Sequence, residues 1–281
     1  MITTIFKTPK MMIRRRKNEK IIRMYDHFSD ENIAPNIDML KYGFGRFRID
    51  EILETPGLTE KMRNSDIRTL STHGSRVYFS WDIPKFIWDA VLNSKTLYKL
   101  VSDYIGPDVR LDDMYVKNVA DGYNATAEGW HNDNVGYRLK LFMVFDTEGL
   151  PSATVVKPKQ RPNIYKVNYK EEFLRTLRRI DVSSHPEEIT VDYTPGDCLF
   201  FDTNLQHRGS YHAGSGTRYC VIAEFIDRNK SDALRGKAPC GPKQGKGSIE
   251  ISTNVEKVMN NPIIDTNILS IDGDKILYGF Q

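Results

Sequence analysis

From Val109 onward the chain is a succession of short apolar runs separated by turn residues. The runs are VRLDDMYVKNV, RLKLFMVF, ATVVK, EITVD, CLFFD and TRYCVIAEFID. Runs of this length, rich in β-branched and aromatic residues and bounded by Gly, Pro, Asn and Asp, predict strands. Ahead of them the period changes. YGFGRFRI, from Tyr42, predicts a strand containing glycines, and a helix-like stretch follows from Asp50. Asp82 and Pro84 then announce one longer helix. In it Ile87, Ala90, Val91, Leu97, Val101 and Ile105 recur on one face, and Gly106-Pro107 ends it. Between ATVVK and EITVD, Phe173, Leu174, Leu177 and Ile180 of NYKEEFLRTLRRI follow helical spacing and predict an inserted helix. Near the end, NVEKVMNNP and KILYGFQ predict a short helix and a closing strand. The pattern as a whole predicts an all-β core with helices placed before it.

Length and composition add little to this outline. A chain of 281 residues with 40% hydrophobic content can bury one substantial core, so a single domain over 1–281 is expected. Within it the texture divides into an N-terminal arm (1–40), a helical support (41–107), the strand-rich core (108–227) and a C-terminal lid and tail (228–281). The net charge of +3 is too small to argue for a nucleic-acid partner. No apolar run approaches the roughly 20 residues that cross a bilayer, so no membrane partner is expected. Lys10 to Arg23 carries seven basic residues against one acidic, which reads as a solvated charged arm. Arg235 to Gly247 carries four basic residues and four glycines with no acid, and reads as a solvated loop or a lid. Its glycines open no helix, so a phosphate-cradling motif is not supported. The opening twenty residues lack the continuous apolar stretch of a secretory leader. Three sparse cysteines, Cys198, Cys220 and Cys240, have no metal-ligand spacing, and a reducing cytoplasm is the expected location.

The chemistry concentrates in two places. Trp130-His131-Asn132-Asp133 precedes the apolar run that begins at Leu139, and His207 precedes Arg218 by eleven positions. On an extended strand, residues i and i+2 share a face, so His131 and Asp133 can grip one ion while Asn132 turns away. Two imidazoles and one carboxylate can occupy one face of an octahedral Fe(II) and leave three positions open. An isolated His-x-Asp recurs by chance, and His212 is a second candidate for the distal imidazole. His27, His73 and His185 have no suitable partners. Arg218 offers a forked cation suited to a carboxylate. Asp197, in the turn Pro195-Gly196-Asp197, reads as a cap for backbone amides.

WHND at 130–133, the Pro-Gly-Asp turn at 195–197, His207 and Arg218 together resemble the Fe(II)/2-oxoglutarate-dependent oxygenases, and among them the phytanoyl-CoA dioxygenase-like group. The resemblance runs from about Tyr42 to Asp227. It implies a mainly β fold with flanking helices around a double-stranded β-helix (jelly-roll, cupin-like) core. The ligand-bearing segments would then lie on neighbouring strands at the mouth of the barrel. It implies that His131, Asp133 and His207 hold Fe(II), with His207 preferred to His212 by its spacing to Arg218. It also implies that Arg218 pairs with the far carboxylate of the co-substrate 2-oxoglutarate, and that O₂ takes the last metal position. The reaction implied is hydroxylation of an unactivated C–H bond in a small-molecule substrate, with release of succinate and CO₂. Halogenating relatives replace the carboxylate of His-x-Asp by a small residue, whereas Asp133 keeps it. Desaturation or cyclisation would use the same cofactors.

Three secondary expectations follow from the resemblance. Asn118, thirteen residues before His131, stands where the family often keeps an amide that touches the co-substrate. An ordinary strand-end Asn reads equally well, and Tyr115 and Lys117 fall on the opposite strand face from it. The family often has a hydroxyl two residues after the distal His, but Gly209 stands there, followed by Ser210. Trp130 would pack beside the metal or in the core. A non-catalytic jelly-roll binding protein and a different cupin-type metal enzyme are the competing classes, and neither needs Arg218 at its spacing. The polar, basic C-terminal region tilts the expected substrate toward a small polar or anionic metabolite.

Overall fold

A computed structural model describes residues 43–70, 76–77, 82–120, 129–133, 138–149, 153–157, 183–209, 216–229, 247–251, 261–264, 269–273 and 275–280. Positions 9, 12–14, 16–17, 19–20, 232, 256 and 260 complete the set, and those between 9 and 20 are helical. The inserted helix expected over 168–180, and the basic glycine-rich segment apart from Gly247, lie outside the described residues.

The first elements follow the sequence pattern closely. Strand β1 (Phe44–Arg48) leads into α1 (Ile49–Ile52), α2 (Leu58–Arg63) and a 3₁₀ turn at Asp66–Thr69, with a short strand β2 at Arg76–Val77. The single long helix expected after Pro84 is instead two: α3 (Lys85–Asn93) and α4 (Lys95–Ile105). The break is at Ser94, whose backbone is extended at φ −71°, ψ 119°. Its hydroxyl accepts from Leu97 N at 2.9 Å and donates to Ile52 O at 2.6 Å. A side-chain cap therefore restarts the helix and ties it to α1. Ile87, Ala90, Val91, Leu97 and Val101 are all buried as expected.

Nine further strands follow: β3 (Val109–Ala120), β4 (Arg138–Gly149), β5 (Thr154–Val156), β6 (Ile189–Val191), β7 (Asp197–Asp202), β8 (His207–Gly209), β9 (Gly216–Asp227), and then β10 (Gly247–Glu250) and β11 (Leu269–Asp272). A last strand, β12 (Lys275–Phe280), is the closing strand expected from KILYGFQ. They form a six-stranded antiparallel sheet in the order β1-β7-β4-β9-β3-β2, a three-stranded sheet β6-β5-β8, and a three-stranded sheet β10-β12-β11. A mainly β jelly-roll core with flanking helices is thus the observed fold.

Register divides the six-stranded sheet into two faces, because residues directly opposite on neighbouring strands point the same way. Met143 lies opposite Val221 and Cys198, and these side chains, with Leu141, Phe200 and Phe225, pack under α3 and α4 in one large apolar cluster. Fully burying side chains of this size is worth about 1.5–3 kcal/mol each, so this layer anchors the fold. Ile251, Ile276 and Tyr278 of the C-terminal region join the same cluster, with the Tyr278 ring 6.1 Å from that of Trp88.

The opposite face looks into the barrel. There Phe142, Ile222, Tyr115, Leu199 and Phe201 meet Val156 and Val191 of the small sheet in a second apolar cluster. Polar residues share this face. Lys140 lies opposite Glu224 on β9 and Phe201 on β7, and Lys117 lies opposite Cys220. A bulge at Asp112 interrupts the β3–β9 register. Its carboxylate, 1% exposed, meets Arg138 Nη2 at 2.6 Å. Bulges re-aim side chains in this way.

Candidate metal centre

His131 and His207 are brought together by main chain. His131 N donates to His207 O at 2.9 Å, and His207 N donates to His131 O at 2.7 Å, an isolated antiparallel bridge. One residue pair thus replaces the neighbouring strands expected from sequence. Asp133 N donates to Thr203 O at 3.0 Å, which carries the carboxylate back toward the imidazoles. The loop after β7 that supplies Thr203 is itself pinned, since Tyr104 of α4 donates to Asp202 Oδ2 at 2.8 Å and Asn204 N donates to Asp202 Oδ1 at 2.7 Å. Burial and the adjacent Asp202 carboxylate push the Tyr104 hydroxyl well above its ordinary pKa, so it remains a donor.

Both imidazoles are oriented by a carbonyl two residues earlier. His131 Nδ1 is 2.7 Å from Gly129 O, and His207 Nδ1 is 3.0 Å from Leu205 O. A carbonyl only accepts, so Nδ1 carries the proton and Nε2 carries the lone pair in each ring. Holding the second ring nitrogen in this manner is how proteins orient ligating histidines. The ring centroids are 4.3 Å apart. Asp133 Oδ1 lies 4.0 Å from His131 Nε2 and 3.8 Å from His207 Nε2. The three donor atoms lie within 4.8 Å of one another, and among the described residues this is the only such group. Two imidazole nitrogens and a carboxylate oxygen around one point fit a divalent first-row ion.

Electrostatics keep that carboxylate charged. Burial pushes the Asp133 carboxyl up, but the Lys140 ammonium beside it holds it well below the usual range. Lys140 Nζ sits 2.6 Å from Asp133 Oδ2 and 3.5 Å from Glu224 Oε1. Glu224, 2% exposed, accepts from Tyr115 OH at 2.9 Å and from Arg138 Nη1 at 2.7 Å. Sequence reading missed Lys140, Glu224 and Arg138. The available signal was a charged residue interrupting an otherwise apolar strand, as in RLKLFMVF and CVIAEFID.

Arg218 is buried on β9, its guanidinium carbon 4.6 Å from the Tyr193 ring centre and 5.7 Å from that of Phe142. A chain of rings joins it to the triad: Phe142 stacks on Phe201 at 5.1 Å, and Phe201 is 4.9 Å from the His207 ring. Arg218 therefore shares the barrel interior with His131, Asp133 and His207. Asn118 does not. It lies opposite Tyr219, one position out of phase with Arg218, and its Nδ2 donates to Arg68 O at 3.0 Å on the helical side of the sheet. The strand alternation gives the interior positions to Tyr115 and Lys117 instead.

The remaining sequence candidates resolve simply. Trp130 is buried, donates to Ser183 O at 2.7 Å, and carries Lys157 Nζ 4.1 Å above its ring. Asp197 accepts from Thr194 N at 2.6 Å, as the cap expected, and also pairs with Arg46 at 2.5 Å and Arg48 at 2.9 Å. Gly196 has φ +90°, and a Cβ there would run into the Arg48 guanidinium. His185 engages its own turn: its N donates to Glu188 Oε2 at 3.0 Å, and its Nδ1 accepts from Glu187 N at 3.2 Å. His27, His73 and His212 lie outside the described residues.

No family model matches the chain, and no curated protein does. Solved structures of similar fold exist at low identity. HygX from Streptomyces hygroscopicus, with nickel and 2-oxoglutarate bound, aligns with a TM-score of 0.52 at 13% identity over 71% of this chain and 87% of its own. The same protein with nickel, 2-oxoglutarate and hygromycin B gives 0.50 at 14% identity, with the same coverage. SnoN, a non-heme α-ketoglutarate-dependent epimerase from nogalamycin biosynthesis, gives 0.47 at 14% over 68% of this chain and 78% of its own. Among the described residues, no helix is long and apolar enough to cross a membrane.

Proposed function

We propose that the protein is an Fe(II)- and 2-oxoglutarate-dependent oxygenase that hydroxylates an unactivated C–H bond of a small polar metabolite, in a reducing cytoplasm. The observation that carries this is the convergence of His131 Nε2, Asp133 Oδ1 and His207 Nε2 within a barrel that also holds a buried arginine. The shared fold of HygX, which binds nickel and 2-oxoglutarate, supports it.

In this reading His131, Asp133 and His207 hold the iron, which with 2-oxoglutarate and O₂ supplies oxidation of the C–H bond and release of succinate and CO₂. The chain's own residues position and insulate. Carbonyls of Gly129 and Leu205 fix both imidazole tautomers. Lys140 keeps Asp133 ionised, so it needs no proton removed to act as a ligand. Arg218, held over the Tyr193 ring, takes the far carboxylate of the keto acid by a bidentate charge-assisted pair. Phe142, Phe201 and Val156 wall the interior and exclude water, which strengthens that pair. Asp133 occupies the position that halogenating relatives leave open, so hydroxylation is favoured.

The test is succinate formation by purified protein supplied with Fe(II) and 2-oxoglutarate, with a metabolite pool screened for stimulation and for a product heavier by one oxygen. Absence of succinate under any pool, with iron bound, would remove the oxygenase reading.

A further inference from the structure

We infer that Lys140 is a positioning residue that holds Oδ2 of Asp133, so that only Oδ1 is offered to the metal. This rests on the metal centre proposed above. A six-coordinate ion bound by two imidazoles and one carboxylate oxygen keeps three positions. If both carboxylate oxygens bind, two remain, and a keto acid chelating through two atoms would leave none for O₂. Something must therefore stop the second oxygen from joining.

The geometry supplies the restraint. Lys140 Nζ is 2.6 Å from Oδ2, while Oδ1 faces both Nε2 atoms at 3.8 and 4.0 Å. Lys140 cannot follow the carboxylate if it turns. Its ammonium is also drawn to Glu224 Oε1 at 3.5 Å, and Glu224 is fixed in turn by Tyr115 and Arg138. A buried ion pair is a poor way to gain stability, because desolvation offsets most of the attraction and an apolar side chain packs as well. Lys140 lies opposite Phe201 and next but one to Phe142, two apolar neighbours that ask for no charge. A lysine placed there against a metal ligand is better explained by what it does to that ligand.

The experiment separates two affinities. Calorimetry measures Mn(II) binding to the full chain, and nitric oxide, which takes the O₂ position without turnover, is titrated into the protein loaded with Fe(II) and 2-oxoglutarate and read by paramagnetic resonance. Lys140→Met is expected to leave the Mn(II) dissociation constant within about threefold of wild type, or lower it, while raising that of nitric oxide by about tenfold or more. Lys140→Arg keeps a cation at Oδ2 and is expected to restore nitric oxide affinity to within about threefold. An unchanged nitric oxide constant in Lys140→Met overturns the inference. So does an equal weakening of both constants, which marks a general structural role. Should Lys140→Met alone not fold, Lys140→Met with Glu224→Gln removes one charge of each sign, and Glu224→Gln alone is its reference; the same split is expected. Failure of wild type to bind 2-oxoglutarate with Fe(II) present is a different result, and it sinks the centre itself.

Discussion

His131 and His207 exchange both of their main-chain hydrogen bonds, at 2.9 and 2.7 Å, although 76 positions separate them in sequence. The imidazoles therefore face each other because two backbones do, with side-chain rotation restrained by the Gly129 and Leu205 carbonyls. Main chain thus sets the spacing of the two rings.

Loss of a ligand should then spare the fold and abolish the chemistry. Asp133→Ala and His207→Ala are expected to keep the wild-type circular dichroism and to weaken metal binding by about a hundredfold or more. Metal analysis after dialysis, alongside succinate assays, decides it. Full iron occupancy in both variants would mean that the triad is not the site.

Arg218→Met is expected to raise the KM for 2-oxoglutarate by about ten- to a hundredfold while leaving metal affinity near wild type, since a charge-assisted pair is worth about 1.5–3 kcal/mol. Arg218→Lys should recover only part of this, because a point charge replaces a fork. An unaltered KM would assign the far carboxylate to another group, with Lys117 the first to examine.

Tyr104 links the helical layer to the loop that carries Thr203. Tyr104→Phe leaves the buried Asp202 carboxylate without that donor, and a stability loss of about 1–3 kcal/mol is expected. Urea denaturation reads it, and an unchanged midpoint would show that the clamp contributes nothing.

Ser94→Ala removes a helix cap and a buried hydrogen bond to Ile52 O together. The expected cost is about 1–3 kcal/mol, seen as a lower thermal midpoint with little effect on metal binding.

For Asp197, burial pushes the carboxyl up, but Arg46 and the Thr194 amide and hydroxyl outweigh it and hold it below the ordinary value. A lowered folded pKa adds stability that is fully present above the unfolded value, near 4, and lost as pH falls through the folded one. Asp197→Asn should therefore be less stable than wild type at neutral pH, with the gap closing in acid. Urea midpoints from pH 7 down to pH 3 test this, and a gap that is flat with pH would contradict it.

Sequence revealed the parts of the site that are local. His-x-Asp spacing, the Pro-Gly-Asp turn and the interval from His207 to Arg218 are visible without coordinates. What register decides was not visible. Lys140 and Glu224 read as charges in apolar strands, and only the alignment of β4 with β9 shows them opposite each other near Asp133. Asn118 illustrates the converse: its position in the chain suited the family, but strand alternation turned it to the helical side. The break at Ser94 was hidden because the apolar positions on either side continue one pattern, while the signal that interrupts it is a single hydroxyl with a distant acceptor.

Among the described residues two cysteines are buried, and they lie on opposite faces of the large sheet, Cys198 beneath the helices and Cys220 inside the barrel. Burial raises both thiols, Cys220 to about 12 even with Arg218 and Lys117 pulling it down, so neither reacts while the layers stay closed. An alkylating reagent thus becomes a clock with two hands. Labelling at Cys198 times the lifting of the helical layer, labelling at Cys220 times the parting of the two sheets, and the order of the two reveals which seam yields first.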